Sequence, residues 1–289
     1  MSGLSDILAN RHSYYRIYSV KKKSGKFRQI TEPIGDIIEW HKLAKERLDK
    51  VPLHPAAHGF RADRSILTNA ELHKAKKYVI NIDLKDFFPS VTSFMIFKAL
   101  TREEEHLDVN DEWDVEKITS LCTLNGCLPQ GACTSPVISN IVLKPMDFEL
   151  KRVADSQELT YTRYADDLTF SGDEIPDWFV NRIRTVAEEF GFKLNDRKIK
   201  KMPYFQRQSV TGIVVNNDTL GVSKKTRNQL RQQLHFLGLK GEEMDESMLG
   251  ILEFIKGVKP SQYESLMRSY RGEYDEGTQG QSALPDDNL

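Results

Sequence analysis

Two adjacent carboxylates, Asp166 and Asp167, follow Tyr164-Ala165 and lie between two short runs of strand character, Leu159–Thr162 and Leu168–Phe170. Like charges side by side repel, so a fold keeps such a pair chiefly where a cation sits between them. A third acid, Asp83, ends the apolar run Tyr78-Val79-Ile80-Asn81-Ile82. Three carboxylates on strand ends and a tight turn have the hard oxygen donors to hold two Mg²⁺ ions for phosphoryl transfer. An Asp-Asp pair alone is more often a solvated turn, so its meaning depends on its surroundings.

The elements that must position these acids read as an α+β chain. Ile37, Trp40, Leu43, Ala44 and Leu48 share one face of an amphipathic helix expected over 36–50. Further helices are expected over 65–76, 93–101, 118–124 and 176–190, the last stopped by Gly191. Ser135-Pro136 reads as a helix start, with Ser at the cap and Pro in the first turn, running to about Val153. Residues 78–84 read as a buried strand, and 158–171 as a hairpin turning at Ala165-Asp166-Asp167. A second hairpin is expected over 209–222, around Asn216-Asn217-Asp218. The acid-rich stretch 103–116 reads as a surface excursion. Three helices, roughly 223–238, 246–257 and 260–271, follow, and the polar stretch from about Arg271 to Leu289 reads as a disordered tail. The order predicts an antiparallel sheet with helices on one side, then a helical bundle.

The 289 residues are 39% hydrophobic and 29% charged, the makeup of a globular protein with two or three subdomains. No apolar run approaches the ~20 residues a membrane span needs. Residues 1–10 lack the basic-then-apolar start of a secretory signal, which points to a cytoplasmic protein without a membrane partner. Cys122, Cys127 and Cys133 fit neither a CxxC zinc site nor a paired framework and read as reduced, packed thiols. The net charge of −1 hides basic stretches at 21–28, 193–207 and 224–231, which offer faces to nucleic acid.

Taken in order and spacing, four segments together resemble the palm of reverse transcriptases. They are Ile82-Asp83-Leu84-Lys85-Asp86-Phe87-Phe88-Pro89-Ser90, Leu128-Pro129-Gln130-Gly131-Ala132-Cys133-Thr134-Ser135-Pro136, Tyr164-Ala165-Asp166-Asp167, and Gly191-Phe192-Lys193-Leu194-Asn195 with Lys198. The resemblance covers about residues 26–272. Asn69-Ala70-Glu71-Leu72-His73 and Val210-Thr211-Gly212 resemble the NAxxH and VTG signatures of bacterial retron reverse transcriptases. The resemblance implies a right-hand polymerase fold of fingers, palm and short helical thumb. Fingers would take 1–77 and about 93–135, the palm 78–222 and the thumb 223–272, with a disordered tail over 273–289.

The same resemblance implies Asp83, Asp166 and Asp167 as the catalytic ligands of two Mg²⁺ ions; Asp86 matches no ligand of the family. Phe88, five residues after Asp83, would lie beneath the incoming sugar and reject a 2′-hydroxyl sterically. Gln130 would hydrogen-bond the nucleotide beside Gly131, which lets backbone approach the substrate. Arg28, helped by Lys22 or Lys26, would clamp the β- and γ-phosphates. Lys198 would protonate departing pyrophosphate or bind phosphate backbone. Asn69 and His73 read as structural or RNA-contacting, and further candidate RNA contacts are Thr211, Gly212, Arg227 and Arg231, the two arginines four apart on one helical face. Implied partners are a structured noncoding RNA, its DNA product, dNTPs and an effector protein encoded nearby. The implied activity copies part of that RNA into single-stranded DNA from a 2′-hydroxyl, leaving a branched RNA–DNA product used in antiphage defence. Two other readings stand beside it: a free-standing reverse transcriptase of group II intron type, and a scaffold holding RNA and effector.

Overall fold

The computed structural model describes residues 3–21, 25 and 27–273. Chain order is α1 (Leu4–Ala9), β1 (Tyr15–Lys21), β2 (Phe27–Pro33), α2 (Ile37–Leu48), α3 (Ile66–Glu71) and β3 (Tyr78–Asp83). Next come α4 (Phe87–Ser90), α5 (Ser93–Arg102), α6 (Val115–Leu121), α7 (Ser135–Asp155), β4 (Thr160–Tyr164), β5 (Asp167–Gly172) and α8 (Phe179–Glu189). The chain continues through β6 (Lys200–Pro203), β7 (Ser209–Val210), β8 (Ile213–Val214), α9 (Lys224–Lys240), α10 (Glu246–Val258) and α11 (Pro260–Arg271).

The central sheet runs β4-β5-β3-β6, antiparallel throughout. Its inner strand β3 is buried on both faces because its side chains alternate between two cores. Ile80 and Ile82 enter a large core formed with α2, α5, α7 and α8. Val79 points the other way, into a second core with Met202, the β7–β8 hairpin and the α9–α11 bundle. The expected α+β architecture is thus present, and β3 joins its two halves.

Local sequence explains most element boundaries. Ser65 caps α3 by accepting from the Leu67 and Thr68 amides, while the Thr68 hydroxyl accepts from Ser65 N at 2.9 Å, a capping box. Ser223 caps α9, Asp245 caps α10, and Pro260 starts α11, so the three C-terminal helices fall where periodicity places them. No helix among the described residues is long and apolar enough to cross a membrane.

Several expectations need correction. The helix expected over 65–76 ends at Glu71; the chain then turns, with Ala75 at φ 52°, so that His73 can pack on the sheet. The second hairpin turns at Thr211-Gly212 (φ 47° and 86°), not around Asn216-Asn217-Asp218, which form the next turn. Two successive positive φ values suit a two-residue turn between twisted strands, and the Thr211 hydroxyl, donating to Ile66 O at 3.3 Å, ties the β-branched residue there. The 103–116 stretch is pinned rather than loose, because Leu107 and Trp113 are buried. At the start of α7 the N-cap position is Thr134, and the Ser135 hydroxyl instead donates to Pro129 O at 2.7 Å. Most of the expected tail, together with Lys22 and Lys26, lies outside the described residues.

Candidate active site

The sheet brings the three acids to one edge. Asp83, the last residue of β3, is directly opposite Asp167, the first of β5, and Leu84 N donates to Asp166 O at 2.9 Å. Asp83 is 5% exposed, Asp166 is half-buried and Asp167 is the most open of the three. The loop after α8 supplies the partners of Asp83. Asn195 N donates to Asp83 O at 2.8 Å, Asn195 Nδ2 to Oδ1 at 2.9 Å, and Lys198 Nζ to Oδ2 at 2.5 Å. The fourth motif therefore docks on the first through main chain and side chain together.

Burial pushes the Asp166 carboxyl above its ordinary pKa, and the Asp83 charge adds to the shift against the opposing pull of Lys198 and Arg28. Crowding by surrounding protein, then the charges of Asp166 and Asp83, push Asp167 up to about 6. The Asp83 hydrogen bond and the clustered acids hold the Lys198 ammonium above its usual pKa. Among the described residues, no three His, Cys, Asp or Glu side chains already stand in a metal-holding arrangement. The donor set nevertheless fits a hard divalent cation: three oxygen ligands whose mutual repulsion a cation would relieve, with Asp83 turned at present toward Lys198.

The upward shift of Asp167, from burial first and the neighbouring acids second, has a measurable sign. Asp167 has an ordinary pKa of 3.8 and a folded value of about 6, so between them the folded chain holds the extra proton. Stability falls as pH rises through that window, and the penalty is complete above it. Asp167→Asn is expected to raise Tm in chelator at pH 8 and to change it little near pH 4. Thermal melts of both proteins test this; equal Tm at pH 8 would contradict it.

A buried cradle fixes the turn that presents Asp166. Arg163 and Asp147 are fully buried and joined bidentately, Nε to Oδ1 at 2.8 Å and Nη2 to Oδ2 at 2.7 Å. Arg163 Nη1 also donates to Asn140 Oδ1 at 2.9 Å and to Ala165 O, inside the turn, at 3.1 Å. Tyr161 Oη donates to Asp147 Oδ1 at 2.8 Å. Asn140 Nδ2 donates to Gly59 O at 2.9 Å, and a Cβ on Gly59 would lie 2.5 Å from Ala165 N. Ala165 itself sits at φ 56°. The members of this network lie far apart along the chain, and an arginine in the middle of a buried strand is their one local signal in the sequence.

The remaining candidates are unevenly placed. Phe87 is buried, whereas Phe88 is half-buried and faces Phe60, ring centroids 6.1 Å apart. Gln130 is half-buried and its carbonyl accepts from Thr31 N at 2.9 Å. Gly131 (φ 146°) does allow a close approach, but to β2: a Cβ there would lie 2.8 Å from Thr31 O. Arg28 stands exposed on β2, and its charge reaches Asp166. Asn69 and His73 have no exposed surface; the His73 ring hydrogen-bonds Ser171 Oγ at 2.6 Å and Thr162 Oγ1 at 2.7 Å. In this structure they pack α3 and the turn after it against the sheet and cannot reach an RNA. Gly212 is exposed with open space beside it, Arg231 is exposed and Arg227 half-buried.

Comparison with known proteins adds independent findings. The reverse transcriptase (RNA-dependent DNA polymerase) family matches residues 20–240. Retron Mx65 reverse transcriptase of Myxococcus xanthus is 34% identical over 89% of this chain, which spans 64% of that protein's length. Retron Ec86 reverse transcriptase of Escherichia coli is 30% identical, covering 88% of this chain and 79% of that protein. Retron Ec73 reverse transcriptase of Escherichia coli is 32% identical, covering 88% and 86%. Among solved structures, telomerase from Candida albicans with a telomeric RNA fragment superposes with TM-score 0.52 at 13% identity, over 93% of this chain and 58% of that one. Apo telomerase from Candida tropicalis gives 0.53 at 15% identity, over 90% and 57%. At those identities the likeness speaks for the fold.

Proposed function

Because this chain belongs to the reverse transcriptase family, and within it to the retron enzymes, we propose that it copies a structured noncoding RNA into single-stranded DNA. The observation that carries this reading is the meeting of Asp83 and Asp167 across the β3–β5 ladder, with Asp166 in the turn between β4 and β5. Asp83, Asp166 and Asp167 would hold two Mg²⁺ ions. Those ions, when bound, lower the pKa of the attacking hydroxyl and neutralise the triphosphate. The fingers would occupy 1–77 and about 93–135, the palm 78–222 and the thumb 223–272.

The other residues have roles suited to their positions. Arg28 steers the triphosphate toward the acids, and Gln130 hydrogen-bonds the nucleotide from a loop tied to the same hairpin. Lys198, already charged and 60% exposed, moves between Asp83 and the departing pyrophosphate or the nucleic-acid backbone. Gly212, Thr211, Arg227 and Arg231 contact RNA along the second hairpin and α9. A noncoding RNA and a nearby-encoded effector complete a bacterial defence unit, with a branched RNA–DNA product.

Phe88 selects the deoxynucleotide by filling the space a 2′-hydroxyl would need. Phe88→Ala is expected to shift the dNTP-to-rNTP preference about 10–200-fold toward ribonucleotides, the range for one steric element in a pocket. Paired single-nucleotide incorporation assays check this, and an unchanged ratio would remove Phe88 from the role. The retron reading itself is tested by sequencing the nucleic acid that copurifies with the protein. One branched RNA–DNA species is expected; many unbranched templates would instead favour the free-standing, group II intron-like reading.

A further inference from the structure

The ring of Phe88 has two aromatic neighbours, one in the core and one at the surface. Phe87 is buried and packs against it with ring centroids 5.2 Å apart. Phe60 meets the same ring at 6.1 Å, with the planes 34° apart, and is itself 43% exposed. Both separations fall within the ~4.5–7 Å range of interacting aromatic pairs. Phe60 is held there against its own backbone preference. Its φ is 63°, a left-handed conformation in which a bulky residue is an outlier. Such strain persists only where the surroundings over-determine it, and it concentrates at functional sites.

The surroundings of Phe60 meet that condition. Residues 56–58 run beside β4: Arg163 N donates to Ala56 O and His58 N donates to Arg163 O, each at 2.7 Å. Gly59 O accepts from Asn140 Nδ2 at 2.9 Å, and Gly59 lies too close to Ala165 N for any side chain. After Phe60, Arg61 Nη1 donates to His54 O at 3.3 Å and to Ala57 O at 3.4 Å. The segment is thus anchored to the Arg163 and Asn140 cradle that also holds the turn bearing Asp166. What this pinned segment presents is an exposed aromatic ring beside Phe88.

We propose that Phe60 is a positioning residue for sugar selection, backing the Phe88 ring so that it does not yield to a 2′-hydroxyl. The inference rests on the reading of Phe88 as the gate. A steric gate rejects a substrate only as far as its own ring resists displacement. Phe88 is half-buried, so core packing encloses it only in part. Phe60 supplies the remaining wall.

The test measures kcat/KM for one dNTP and the matching rNTP on an RNA template. The full-length proteins compared are wild type, Phe60→Ala, Phe60→Tyr, Phe88→Ala and the Phe60→Ala, Phe88→Ala double variant. Both substrates are assayed on one preparation, so a smaller folded fraction cancels from their ratio. Phe60→Ala is expected to shift the preference about 3–10-fold toward the ribonucleotide, the worth of one aromatic pair. The shift should come from a higher kcat/KM for the rNTP. Phe60→Tyr keeps the ring and should keep the wild-type ratio. The double variant should match Phe88→Ala alone, because an absent gate needs no backing. An unchanged ratio in Phe60→Ala, while Phe88→Ala shifts it, would overturn the backing role and leave the gate in place. Equal losses on both substrates would place Phe60 on the template or in the turn, and would overturn it too. Additive effects in the double variant would show that Phe60 acts apart from Phe88, against the proposal. If Phe88→Ala leaves the ratio unchanged, the gate reading fails and the backing role falls with it.

Discussion

Asp83→Asn or Asp166→Asn is expected to lower RNA-templated deoxynucleotide incorporation by about 10³-fold, roughly 4 kcal/mol at 1.36 kcal/mol per decade. The amide keeps the shape of the side chain but removes the charge that a divalent cation and Lys198 both require. Loss of one preorganised electrostatic group at a reacting oxygen typically costs ~10²–10³. A carboxylate that would be shared by two ions, as proposed, is asked to supply at least that much. Folding should survive, because both substitutions relieve repulsion among the three acids. The readout is primer extension by variants whose melting temperature is not lowered. Full activity in an Asp166→Asn, Asp167→Asn double variant would remove these residues from the chemistry.

The largest stability effect is expected at the buried cradle. Arg163→Leu leaves Asp147 charged, fully buried and short of two charge-assisted hydrogen bonds. Breaking a buried pair from one side costs about 3–5 kcal/mol, against a total stability of ~5–15 kcal/mol for an ordinary domain. Activity should fall with it, since the same guanidinium holds Ala165 O within the turn. Adding Asp147→Leu should recover part of the loss, because two apolar groups no longer strand a charge. Denaturant unfolding of the wild type, both single variants and the double variant measures each term. A cost below ~1 kcal/mol for Arg163→Leu would show that the cradle does not hold the turn.

What could be read in advance followed the reach of each signal. Helices α9 to α11 announce themselves by period and caps within a few residues, and they lie where expected. The acids were legible because the Asp166-Asp167 pair and the end of an apolar strand are local patterns, which the sheet then brings together. Strand β6 was missed because its exposed, lysine-rich sequence alternates weakly; β3 recruits it as an edge. Whether His73 is structural or touches RNA stays open in sequence because its burial is decided by partners about 90 residues away, Thr162 and Ser171. Gly131 was tied to a substrate, yet the backbone it admits is Thr31 of β2. The Arg163 cradle depends on Asn140, Asp147 and Gly59, and no spacing rule links those positions.

The most direct test supplies the purified protein with an RNA template, an annealed primer, four dNTPs and Mg²⁺, and sequences the product. The account predicts DNA complementary to the RNA, lost on chelation and in Asp83→Asn. Absence of complementary DNA from the folded wild-type protein, or equal synthesis without a template, would contradict it.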